Sequence, residues 1–198
     1  MKKKIFFPIF ILSQFLSHFS SAQDYYSILA WSTVYPTGEL NDFIDKSSFR
    51  GFGFEFGKGI NDNFAVGLIA SWNVFYEASD YDTYVMGNLT ISGKQYRYIN
   101  AFPIMITGHY FISPGSRINP YVAGGIGTYR MNKKTDIGLY TSVNNNWHFG
   151  FFPEAGLFFN ITDDFALNLT ARYNYVSKVS QSPSYSYLNL VLGFAFLY

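Results

Sequence analysis

The sequence predicts an all-β fold, an eight-stranded antiparallel up-and-down transmembrane β-barrel. Three observations predict it. Apolar residues recur with a period of two, the spacing that puts alternate side chains on one face of a strand. Aromatic residues make up 21% of the chain and charged residues only 14%, against roughly 25% charged in soluble domains. Short turns alternate with longer polar connections, as a barrel with two unlike ends requires.

The N-terminus reads as a cleaved export signal. Lys2, Lys3 and Lys4 supply a positive start, 5–19 is an apolar stretch, and Ser20-Ser21-Ala22 offers small residues at a cleavage site. The expected organisation is a signal peptide over 1–22 and a barrel domain over 23–198. No apolar run of roughly 18 residues follows the leader, so no transmembrane helix is expected. The chain has no cysteine, hence no disulfide framework and no thiolate metal site. Charge is balanced, with 14 Lys+Arg against 13 Asp+Glu. No basic face is implied, which argues against nucleic acid as a partner.

Eight strands follow from the alternation, near 25–36, 48–57, 64–77, 95–111, 119–131, 146–160, 165–177 and 185–198. The first and fifth can face either way, because their Gly and Tyr content suits both sides. The second sets Phe52, Phe54 and Phe56 against Gly51, Gly53 and Glu55. The third sets Phe64, Val66, Leu68, Ala70, Trp72, Val74 and Tyr76 against Ala65, Gly67, Ile69, Ser71, Asn73 and Phe75. The sixth sets Trp147, Phe149, Phe151, Ala155 and Leu157 against His148, Gly150, Glu154 and Gly156. The seventh places Phe165, Leu167, Leu169, Ala171, Tyr173 and Tyr175 opposite Ala166, Asn168, Thr170, Arg172 and Asn174. The eighth groups Leu188, Leu190, Leu192, Phe194, Phe196 and Tyr198. Turn chemistry at 59–63, 113–116 and 162–164 marks three short connections. The polar stretches 36–47, 77–94, 132–145 and 178–184 are expected as four outer loops.

A soluble barrel of the lipocalin type also alternates apolar and polar faces. Its strands are shorter than these, which exceed the average of about 5–6 residues and match the about 9–11 that a tilted membrane strand needs. An eight-stranded interior is only just wide enough for side chains to fill. The face rich in Phe, Tyr and Leu is too bulky for it, so that face points outward to lipid. Aromatic residues gather at both strand ends: Phe64 and Tyr76, Tyr96 and Tyr110, Trp147 and Phe159, Tyr185 and Tyr198. They are expected to form two interfacial girdles, with Trp72 and Trp147 as lipid-facing anchors.

Three segments resemble the small outer-membrane β-barrel-domain proteins, the OmpA/OmpX-like barrels. They are Asn119-Pro120-Tyr121-Val122-Ala123-Gly124-Gly125-Ile126-Gly127, Pro153-Glu154-Ala155-Gly156-Leu157, and the ending Leu190-Val191-Leu192-Gly193-Phe194-Ala195-Phe196-Leu197-Tyr198. The resemblance covers roughly residues 24–198. It implies location in the outer membrane, outer-membrane lipids as surroundings, and recognition of the last strand by the barrel-assembly machinery. Many such barrels end in Phe, whereas this chain ends in Tyr198. The resemblance speaks for fold and location more than for function, because this architecture hosts many roles.

Candidate functional residues are sparse. The lumen is expected to hold Glu55, Arg97, Glu154 and Arg172, with Arg130 as a further candidate. In a narrow interior an unpaired charge is costly, so acids and bases should pair there. The pairs read as a structural plug, the rival reading being a gated ion path. A lipid A acyl-chain enzyme would need a base within reach of a nucleophile. His148 lacks a serine two residues on, Ser142 lies in a loop, and Glu154 is about 20 Å away along the strand at roughly 3.3 Å per residue. Asp42, Asp45, Asp80, Asp82 and Asp136 lack calcium-ligand spacing, Asp80-Tyr81-Asp82 coming nearest. The sequons at Asn88, Asn160 and Asn168 read as chance matches. No cofactor or metal is implied. Two functions remain: a surface-interaction scaffold acting through four external loops with unknown ligands, or a narrow porin for small solutes. The Gly-rich inner face either widens the lumen or lets bulky neighbours fill it.

Overall fold

The computed structural model describes residues 25–86, 89–180 and 182–198. The expected leader at 1–22 and Asn88 of the first sequon lie outside the described residues. Eight strands run in sequence order around a closed barrel: β1 (Tyr25–Thr37), β2 (Ser48–Gly59), β3 (Phe64–Met86), β4 (Leu89–Phe111), β5 (Ile118–Ile137), β6 (Tyr140–Asn160), β7 (Phe165–Val176) and β8 (Tyr185–Leu197). Every neighbouring pair is antiparallel, and β8 closes on β1.

Register fixes the tilt. One hydrogen-bonded row runs Ser27, Phe56, Leu68, Ile106, Ile126, Phe151, Tyr175, Ser186 and back to Thr37. It returns to β1 ten residues beyond its start, a shear number of 10. Eight strands with that stagger tilt at the steep end of the usual range of about 35–45°.

The alternation divides inside from outside. Phe52, Phe54, Phe56, Leu68, Ile106, Ile126, Phe149 and Leu192 are exposed on the outer surface. The two strands that face either way by sequence are settled here. Tyr26, Ile28 and Ser32 of β1 and Tyr121, Tyr129 and Met131 of β5 are buried inside.

Bulky residues fill the interior, and glycine makes room for them. A Cβ built on Gly57 would meet Tyr26, and on Gly125 it would meet Phe152. On Gly150 it would stand 2.6 Å from Tyr129, and on Gly156 2.6 Å from Tyr121. The inner glycines therefore do not widen the lumen. These four give their space to aromatic rings on neighbouring strands, while Gly51 gives way to Ser32 and Gly193 to Ile28.

Two of the expected outer loops are mostly strand. The stretches 77–86 and 89–94 form the upper part of β3 and β4, and 132–145 that of the β5–β6 hairpin. Polarity suggested loops there. Once the barrel sets the register, ladder hydrogen bonds continue upward, and above the bilayer no apolar face is needed to sustain them. The stretch 36–47 carries a short helix, α1 (Glu39–Phe43), entered through Gly38 at φ 56°. Its signal is the spacing of Leu40, Phe43 and Ile44 at i, i+3 and i+4. Leu40 and Ile44 are fully buried.

Candidate functional site

The barrel offers two places where chemistry or recognition could reside: its polar interior and its external end. β7 shows the layout of the interior. Ala166 belongs to a lower apolar cluster with Tyr26, Tyr121 and Phe158. Val176 belongs to an upper one with Phe75, Ile99, Met131 and Tyr187. Between them the inner face of β7 carries Asn168, Thr170, Arg172 and Asn174, all buried.

Two carboxylates anchor this polar layer. Glu154 Oε2 accepts a hydrogen bond from Arg172 Nε at 2.5 Å, and its Oε1 accepts one from the Tyr121 hydroxyl at 2.7 Å. Arg172 also lies over the Phe152 ring at 4.4 Å. Glu55 pairs differently. Its Oε1 accepts from His109 Nε2 at 2.6 Å, Thr107 Oγ1 at 2.9 Å and the Tyr26 hydroxyl at 3.0 Å. A buried carboxylate with several donors avoids the cost of an unsatisfied charge. Above them an amide chain links the walls. Tyr129 donates to Asn174 at 3.0 Å, Asn174 to Asn189 at 2.9 Å, and Asn189 to Asn73 at 2.9 Å. A cavity of about 20 Å³ remains beside Glu55, Arg172 and Asn189, room for about one water molecule.

The expected luminal set needs two revisions. Arg97 faces inward at the upper mouth but pairs with no acid among the described residues. Its Nη1 donates to the Phe43 carbonyl at 3.0 Å and its Nε to Gln95 at 2.9 Å. Arg130 is not in the lumen at all. It shares the outward parity of Ile126 and Thr128 and is exposed. The expectation failed because the facing of this strand could not be read from its Gly and Tyr content. His109, given no role from sequence, carries the parity of the inward Met105 and Thr107 and becomes the main partner of Glu55.

Of the residues expected in the aromatic girdles, one faces inward. Phe64, Tyr110, Trp147, Phe159 and Tyr198 are exposed outside, and Tyr76 and Tyr96 are partly exposed there. Tyr185 is buried inside at 2%. It sits at the strand end but on the parity of Tyr187 and Asn189, and its hydroxyl lies 2.9 Å from Ser182 Oγ. Cations sit beside outer rings at both rims. Lys58 lies over Tyr25 and Arg117 over Phe159 below, and Arg50 lies over Tyr76 and Lys134 over Tyr98 above.

His148 does not meet a nucleophile. Its Nδ1 donates to the Ser177 carbonyl at 2.7 Å, and its buried Nε2 has no partner among the described residues. Glu154 is committed to Arg172 and Tyr121.

The external end is asymmetric. β2 pairs with β3 only up to Gly51 opposite Asn73, and β7 meets β6 only from Val176 opposite Gly150. β3, β4, β5 and β6 continue together, β4 and β5 staying paired to Gln95 opposite Ile137. From Asn73 to Met86 the wall gains on the order of 40 Å of strand at about 3.3 Å per residue. Its β3 edge carries Glu77, Asp80 and Asp82 and a bulge between Ala78 and Tyr81. Its β6 edge, Tyr140-Thr141-Ser142-Val143-Asn144-Asn145-Asn146, has neither charge nor proline. Near the wall's tip, Lys134 and Thr141 hydrogen-bond Asp136 at 2.7 Å each and hold its carboxyl below its ordinary range.

On the opposite side α1 folds over the mouth. Phe43 is held between two cations, Lys133 Nζ at 3.6 Å and Arg97 at 5.2 Å from its ring centre. Leu40 and Ile44 join the upper apolar cluster.

Residues 17–196 match the family model described as the outer membrane protein beta-barrel domain. The fold is similar to that of Ail, the attachment invasion locus protein of Yersinia pestis, solved in complex with the heparin analogue sucrose octasulfate. The two share 18% identity and a TM-score of 0.52 over 89% of this chain and 98% of that one. It is also similar to Neisserial surface protein A, at 17% identity and a TM-score of 0.52 over 89% of this chain and 97% of that one. No curated protein matches the chain by sequence. With a ring of eight antiparallel strands and a family match over almost its whole length, the chain belongs to the outer membrane protein beta-barrel domain family and resides in the bacterial outer membrane.

Proposed function

We propose that the protein is a cell-surface interaction scaffold whose contact element is the four-stranded wall, carried on a barrel whose lumen does not conduct. The observation that supports this most is the character of the β6 edge, which carries neither charge nor proline over 140–146 and lies beyond the last β6–β7 register pair, Gly150 opposite Val176. Exposed edges are normally blunted by charge, proline or a bulge. The β3 edge has both charge and a bulge, and the β6 edge has neither. An extended polypeptide can add to such an edge through main-chain hydrogen bonds. The packed interior supports the non-conducting reading: two apolar clusters and a hydrogen-bonded polar layer occupy the space a solute would cross. Ail, which shares the fold, is by its description a protein of attachment and was solved with a heparin analogue, so heparin is a useful second probe.

The test shortens the β5–β6 hairpin by replacing 134–143 with a two-residue Asn-Gly turn. Cells displaying the full chain should bind an immobilised extended polypeptide and immobilised heparin, and cells displaying the shortened chain should not. Heat-modifiable gel mobility checks that both barrels fold. Equal binding by the two would overturn the wall as the contact element. Single-channel steps from the refolded full chain would favour a narrow porin instead.

A further inference from the structure

The outward position of Arg130 sets a guanidinium at the top of an uncharged stretch of the β5 outer face. Below it on the same face of β5 stand Ile118, Val122, Gly124, Ile126 and Thr128, none of them charged. Its register neighbours are Phe102 on β4 and Trp147 on β6. From Tyr110, at the lower rim, to Phe102 is about 27 Å of strand at roughly 3.3 Å per residue. Tilted at about 40°, that rises about 20 Å, close to the apolar band of about 25 Å typical of such barrels. Arg130 therefore stands at the upper edge of the hydrocarbon. An Arg at the midplane would cost about 2–4 kcal/mol, falling to about 0–1 at the interface.

Polar groups cluster around it. Asn132 follows Arg130 on the same outward face and pairs in register with Asn100 on β4 and Asn145 on β6. Asn100 accepts a hydrogen bond from Trp72 Nε1 at 3.0 Å. The side chains of Arg130, Asn132 and Asn145 make no hydrogen bond or ion pair among the described residues. Lys134 continues the face, and Asp136 pairs with it, so Arg130 is the charge left uncompensated in the patch. Same-face neighbours on a strand lie about 7 Å apart and register partners about 5 Å apart. Arg130, Asn132 and Asn145 can thus converge on one anionic group.

We propose that this patch binds the phosphate of an outer-leaflet lipid headgroup, with Arg130 as the charged fork and Asn132 and Asn145 as amide donors. Depth selects the occupant. The face points away from the lumen, at the level where acyl chains give way to headgroups, and only a lipid presents an anion there while covering Phe102 and Trp147. A planar guanidinium takes phosphate oxygens through two parallel hydrogen bonds. The aromatic rings on either side suit the interfacial zone.

The test reconstitutes the full chain in phosphatidylcholine vesicles holding either lipid A or its dephosphorylated form. Lipid retained by the extracted protein is then counted by native mass spectrometry. Wild-type protein should retain lipid A about tenfold over the dephosphorylated form, the ratio expected of about 1.4 kcal/mol. Arg130→Gln should remove most of that preference, Arg130→Lys should keep part of it, and Arg117→Gln at the opposite rim should keep it all. Gel mobility verifies the fold of each variant. Retention by Arg130→Gln equal to wild type, or no preference for the phosphorylated lipid, would overturn the proposal. So would Arg130-dependent binding of inorganic phosphate without retention of lipid A, which would mark a free-anion site.

Discussion

Gly125 on β5 and Phe152 on β6 are register partners inside the barrel, and the Phe152 ring occupies the place where a Cβ on Gly125 would stand. The ring is itself backed by the Arg172 guanidinium, 4.4 Å from its centre. This pairing explains how a narrow barrel carries both glycine and large rings on one inner face.

Gly125→Val should therefore destabilise the barrel by about 1–3 kcal/mol, the usual cost of overpacking. Valine suits a strand, so steric conflict and not strand propensity sets the loss. Combining it with Phe152→Leu should recover most of the stability. Urea unfolding in lipid vesicles reads both, and additive losses in the double variant would sink the pairing argument.

Glu154→Gln should be more damaging. It leaves Arg172 buried without its carboxylate, at a cost of about 3–5 kcal/mol. Replacing Arg172 by Met in the same chain should restore much of that loss, because no buried charge then remains. If the lumen is closed, neither variant should raise planar-bilayer conductance. Conducting steps in Glu154→Gln would revive the gated ion path.

Phe43→Ala removes the ring that Arg97 and Lys133 hold from either side. Cation–π contacts of this kind contribute about 0.5–1 kcal/mol each at exposed sites. Amide hydrogen exchange across 39–44 should speed up several-fold, with the global unfolding midpoint unchanged. Unaltered exchange would mean that Leu40 and Ile44 hold α1 down without the clamp.

Asp136 carries the pH response of the wall. Its carboxyl is held below its ordinary range by Lys134 and Thr141. A depressed pKa stabilises the folded hairpin above the ordinary carboxylate value of about 4 and loses that effect as the pH falls through the lowered value. Exchange protection at the hairpin tip should be flat from neutral pH down to about 4 and then decline. Asp136→Asn should remove the decline. Loss of protection already near pH 6 would point to another group.

The strand count, the antiparallel order and the outward facing of six strands are legible along the chain, because a period of two survives wherever one face meets lipid. The residues from Phe64 to Tyr76 and from Leu188 to Tyr198 state that face without ambiguity. The signal fades where the bilayer ends. Residues 77–86, 89–94 and 132–145 need no apolar face, so their polarity suggests loops, and continued hydrogen bonding reveals the wall. Parity alone could have placed Tyr185 inside; its position at a strand end suggested otherwise.

Which groups meet across the lumen depends on how the strands stagger around the barrel. Alternation says that Glu55, Glu154, Arg172 and His109 share the inner face. The stagger of ten residues around the barrel decides that Glu154 faces Arg172 and that Glu55 faces His109. The facing of β5 likewise rested on packing, since Gly and Tyr suit either side until a ring on one strand fills the space that glycine leaves on the next. That choice carried Arg130 out of the lumen and onto the membrane surface. The small outer-membrane barrel was legible because lipid imposes a local pattern on every strand. Its interior pairs and its external wall depend on register, which no single strand encodes.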